Sequence, residues 1–160
     1  MRRCSFLVVG VLAVLLSVPG CGANGLSGSL SEAFDLSYSD IVLKRSESAF
    51  QVLYTKSYGN ETVVRLTVAT AGIDTVHGGS VNLAAEYAPG HPRAAVSRAL
   101  DGEPVRSLPV VVQGDLTLNG PCLAGQSCSG TFSLRFGEGG DLGAGRTLVG
   151  IFSGTVQGAN

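Results

Sequence analysis

Four cysteines and two histidines are the side chains of this 160-residue chain best suited to chemistry. Cys122 and Cys128, with five residues between them, sit in the Gly- and Ser-containing stretch PCLAGQSCSG. That spacing is not the CxxC of redox enzymes, and two thiols do not complete a tetrahedral zinc site. In an oxidising compartment such a pair defaults to a disulfide that closes a short loop. His77 (in DTVHGGS) and His91 (in APGHPRA) lie among turn residues and are read as surface-loop side chains. A Ser-His-Asp hydrolase would need one of them beside a serine and a carboxylate, and no GxSxG nucleophile elbow occurs. Glu138 and Asp141 flank two glycines and could offer oxygen to Ca²⁺, but they lack the twelve-residue EF-hand pattern. A solvated hairpin turn is the better account of them. Asn60-Glu61-Thr62 fits the glycosylation sequon, and no Walker A loop or strand-linked GxGxxG is present. No metal, cofactor or catalytic residue is therefore assigned.

Cys4 and Cys21 belong to a different context. Arg2 and Arg3 precede an uncharged run, Phe6–Leu16. As a helix that run rises about 16 Å, well short of the ~30 Å hydrocarbon core, which fits the h-region of an export signal. Val18-Pro19-Gly20-Cys21 follows. These residues resemble the lipobox of bacterial prolipoproteins, with Val18 at the aliphatic position, Gly20 before the cut and Cys21 at the lipidated position. Pro19 stands where Ala or Ser is usual. The resemblance covers the leader alone. It implies transfer of diacylglycerol to the Cys21 thiol, cleavage between Gly20 and Cys21, and acylation of the new amine. It also implies an exported, membrane-anchored protein whose partner is the bilayer. Gly22 in place of Asp favours the outer membrane, facing periplasm or surface, if the source is Gram-negative.

The leader, residues 1–20, carries away Arg2, Arg3 and Cys4. Nine basic side chains then face twelve acidic ones, a net charge of −3, so nucleic acid is not an expected partner. Charged residues make up 14% of the chain and apolar ones 44%, which excludes a charge-driven disordered polymer. Residues 21–31 hold the lipidated cysteine and a Gly/Ser/Asn-rich stretch expected to act as a flexible tether.

Residues 32–160 form one domain of a different character. Apolar residues there recur with period two, as in Phe50, Val52, Tyr54 and in Phe132, Leu134, Phe136. Turn-forming clusters such as Tyr58-Gly59-Asn60 and Asn119-Gly120-Pro121 separate the runs. The pattern predicts an all-β antiparallel sandwich or small barrel of about eight strands, preceded by a signal helix. Its expected core is Phe34, Phe50, Val52, Leu66, Val68, Val112, Leu116, Phe132, Leu134 and Phe152. Strands are expected through Leu30–Tyr38 and Val81–Tyr87, while within 92–107 the segment Ala94–Leu100 reads as a helical turn or two or an edge strand. Gly150 and Gly154 interrupt a strand and mark bulges or close backbone approach.

A non-catalytic, lipid-anchored β domain with a structural, adhesive or accessory role follows most directly from these features. A small apolar ligand held in a barrel mouth is the alternative, and a hydrolase the third.

Overall fold

The computed structural model describes residues 24–139, 142 and 145–159. The leader, Gly20, Cys21 and Asp141 lie outside these residues. Among the described residues the protein is all-β. Its strands are β1 (Gly25–Ser27), β2 (Asp40–Arg45), β3 (Ala49–Lys56), β4 (Glu61–Ala69), β5 (Gly79–Asn82), β6 (Glu86–Ala88), β7 (His91–Pro92), β8 (Ala94–Ala99), β9 (Arg106–Ser107), β10 (Val111–Leu118), β11 (Ser127–Phe136) and β12 (Thr147–Gly158). The two-residue period shows most plainly in β11. Cys128, Gly130, Phe132, Leu134 and Phe136 are buried there, while Thr131, Ser133 and Arg135 face solvent. One face must therefore meet a core and the other water.

Ten strands form one curled sheet in the order β5-β10-β11-β12-β2-β3-β4-β8-β9, with β1 also on β12. Neighbours are antiparallel except for β12 and β2, which pair in parallel at Val156–Leu43, Gln157–Lys44 and Gly158–Arg45. The length of β12 explains the curl. Its first nine residues pair with β11, whereas its last three pair with β2. One strand thus turns the corner between two half-sheets whose inner faces meet. Across that interior the rings of Phe50 and Phe152 lie 6.1 Å apart, those of Tyr54 and Phe132 6.2 Å. The Tyr54 hydroxyl donates to the Ile151 carbonyl at 3.0 Å. Burial, with a smaller push from Tyr38, raises the pKa of this phenol above the usual tyrosine range. β5 and β9 are the two ends of the sheet, and β6 and β7 form a separate hairpin.

Gly150 has a packing role. It pairs with Phe132 across β11 and β12, and Gly130 pairs with Phe152 two residues along. Each phenyl ring covers the glycine opposite. A Cβ at Gly150 would enter the Phe132 ring and come within 2.7 Å of the Tyr54 hydroxyl, and one at Gly130 would lie 2.7 Å from Phe152. Gly154 is different, since a Cβ there would make only ordinary contact with Leu43 at 3.8 Å.

Several local expectations are corrected. The stretch expected as a tether is docked from residue 24 onward: β1 pairs with Val149–Ile151, and Ser29–Glu32 forms a 3-10 turn. Leu30 is completely buried, and the Ser29 hydroxyl accepts from the Thr147 amide at 2.9 Å. Two leucines inside a polar stretch, Leu26 and Leu30, supply the burial that composition averages away. Residues 33–39 are not a strand. Asp35 accepts from both the amide and the hydroxyl of Ser37, an Asx turn that bends the chain.

The expected core is right at Phe50, Val52, Leu66, Val68, Leu116, Phe132, Leu134 and Phe152, all buried. Phe34 is only partly buried, and Val112 is 53% exposed. A bulge between Val111 and Gln113 reverses the side-chain parity, so Val111 turns inward instead. The 81–87 strand is split, because the Asn82 side chain accepts from the Ala84 amide and turns the chain after β5. The segment Ala94–Leu100 is neither helical nor an edge strand: it supplies β8, an interior strand between β4 and β9.

Candidate functional surface

Cys122 and Cys128 stand at disulfide distance, with sulfurs 2.01 Å and Cα atoms 4.8 Å apart. Their surroundings differ from a solvent-exposed hairpin tip. Both are buried to within 1% of complete. The Cys122 amide donates to the Thr75 carbonyl at 2.8 Å, and the Arg45 guanidinium donates to the Cys122 carbonyl at 3.2 Å. Arg45 also donates to the Thr75 hydroxyl. The cysteine pair, the end of β2 and the loop before β5 therefore form one unit. Sequence spacing located the bridge but carried no sign of its Arg45 and Thr75 partners, which are remote in the chain.

Among the described residues neither histidine is hydrogen-bonded to a serine, threonine or cysteine side chain. His77 is largely exposed, and its Nδ1 lies 2.8 Å from Asp74. Asp74 also accepts from the amides of Val76 and His77, so this is a self-contained turn. The His77 amide, then its ring, then the Val76 amide hold the Asp74 carboxyl down to a pKa of about 2. His77→Ala removes only the ring and leaves both amides. The Asp74 titration midpoint, followed by carboxyl NMR, should then rise from about 2 yet stay below the ordinary value of 3.8. Native stability tied to this carboxylate is present above its unfolded pKa and fades as pH falls from about 4 toward 2. His91 is exposed on the β6–β7 hairpin, 5.7 Å from the Tyr87 ring. Among the described residues no group of three or more His, Cys, Asp or Glu could hold a metal ion. Glu138 is exposed, and its expected companion Asp141 lies outside the described residues.

An arginine site escaped the sequence reading. Arg98 points inward from β8 with its side chain only 8% exposed. Its guanidinium lies 4.1 Å from the centre of the Phe34 ring and 3.9 Å from the Glu103 carboxylate. Arg106 approaches the same ring at 5.5 Å. Among the described residues the Nε and Nη1 atoms of Arg98 have no hydrogen-bond partner, and the Phe34 ring and the Glu103 carboxylate are the groups found beside its charge. Inward parity in β8 places Arg98 in line with Ala94 and Val96, where an apolar residue would be expected.

The outer face of the β5-β10-β11-β12-β1 half-sheet carries rows of small polar side chains. Cross-strand pairing lines up Ser80, Thr117, Thr131 and Ile151 in one row, and Ser129 with Ser153 in the next. A groove of about 470 Å³ runs here, lined by Asn119, Ser129, Gly130, Thr131, Ile151, Phe152 and Ser153. None of those residues is charged. Asp115 and Arg135 stand farther along the same face. Ile151 and Val149 are 40% and 37% exposed, so aliphatic surface interrupts the hydroxyls. Asn24 closes one border: its side-chain oxygen accepts from the Ser153 amide at 2.7 Å and from its hydroxyl at 3.2 Å.

No protein family, curated protein or solved structure matches the chain. Among the described residues no helix is long and apolar enough to cross a membrane.

Proposed function

We propose that the protein is a lipoprotein of the bacterial envelope, an all-β domain held at a membrane by an acylated Cys21 and acting without catalysis as a structural, adhesive or accessory component. One observation carries this reading: Val18-Pro19-Gly20-Cys21 follows the short apolar run Phe6–Leu16, with two arginines ahead of it. A single acyl chain binds a bilayer only marginally, whereas two or more hold a soluble domain stably. The bonding-distance cysteine pair suits an oxidising compartment outside the cytoplasm. Gly22 favours the outer membrane in a Gram-negative source.

Cys21→Ser provides the test. The variant lacks the thiol that accepts the lipid, so it should lose lipid labelling and leave the membrane fraction under a high-salt wash. Its far-UV circular dichroism should remain that of a β protein, since the lipid contributes nothing to the core. Wild-type protein that resists no such wash, or a variant that stays as firmly bound, contradicts the proposal.

A further inference from the structure

The shortness of the chain between anchor and fold has a geometric consequence. Only two residues, Gly22 and Ala23, separate Cys21 from Asn24. Three Cα–Cα steps of 3.8 Å span at most about 11 Å, whatever their conformation. Asn24 is already fastened to Ser153, and β1 continues directly onto β12. A domain of this size is roughly 35–40 Å across. An anchor at Cys21 therefore cannot let the domain stand clear of the bilayer, and the surface bordering Asn24 must lie against it.

We infer that the uncharged outer face around Ser129, Thr131, Ile151 and Ser153 is a membrane-contact surface, seated on the lipid headgroups. This rests on the lipid anchor proposed at Cys21. Three further observations favour headgroups as the occupant. The groove residues carry no charge, while the mature chain has a net charge of −3, so this is a face that anionic lipids do not repel. Serine and threonine hydroxyls offer donors and acceptors to phosphate and ester oxygens. Exposed Ile151 and Val149 can enter the boundary between headgroup and acyl chain.

The experiment uses mature lipidated protein in vesicles of phosphatidylethanolamine and phosphatidylglycerol, a fraction of the lipids carrying a nitroxide on the headgroup. A fluorophore is attached to Thr131→Cys or, on the outer face of the other half-sheet, to Ala95→Cys. Flotation of the vesicles reports anchoring separately from orientation. The inference expects both proteins to float and the label at 131 to be quenched at least ~5-fold more than the label at 95, given a body wider than the leash is long. Equal quenching in floating protein overturns the contact surface while leaving the anchor intact. Quenching stronger at 95 overturns it equally, as does weak quenching at 131 caused by a second copy covering the face. Failure to float removes the anchor and the inference with it.

Discussion

Phe132→Ala is expected to lower the unfolding free energy by about 3–5 kcal/mol. Phe132 is 1% exposed and lies where the two half-sheets meet. Its ring borders Tyr54 at 6.2 Å and covers Gly150 on the neighbouring strand. A glycine cannot reach into the space that truncation leaves, so the cavity does not refill from that side. Nor can β12 simply move inward, because β11 and β1 hold it on both edges over Val149–Ile151. Urea denaturation should show a lower midpoint with an unchanged slope, the sign of lost stability without a changed unfolded state. A loss below about 1 kcal/mol would mean that the ring does not fill the interior as described.

Replacing Cys122 and Cys128 together by alanine should cost about 2–5 kcal/mol, the range for removing a native bridge from a small domain. The loop-entropy estimate from sequence alone stands near the low end, because only a short loop is closed. Burial raises the expectation. Both sulfurs lie in the core, and the Cys122 backbone is the meeting point for Thr75 and Arg45. Loosening it should release the loop before β5 as well as its own hairpin. Hydrogen exchange should accelerate at the Cys122 amide and around Thr75. Peptide mapping of protein isolated from its source under non-reducing conditions should recover the two cysteines as one linked species. Free thiols in that material, or a melting temperature indifferent to reductant, would contradict the bridge.

The class of fold was legible because burial on one face of a strand demands alternation, and β11 alternates along its whole length, as do Ala49–Val52 of β3 and Val64–Ala69 of β4. Local departures were illegible for an equally physical reason. The β10 bulge reverses parity at a point where three valines, 110 to 112, offer either register. The Asx turns at Asp35 and Asn82 break apolar alternation with a single hydrogen-bonding side chain. Arg98 occupies a core-facing position through its stacking on Phe34, a contact between segments far apart in sequence. The docked segment after Asn24 was hidden by its glycines and serines, although Leu26 and Leu30 are the residues that bind it to the sheet. The surface proposed to meet the membrane needed both the strand register and the point where the chain joins the fold. Neither is written in a local motif.

Intact-mass analysis of the mature protein extracted from membranes tests the central claim most directly. The account predicts a polypeptide that begins at Cys21 and carries the added mass of a diacylglyceryl group, with a further acyl chain on its amine where the source completes that step. An unmodified chain starting at any other residue, such as Asn24, would contradict it.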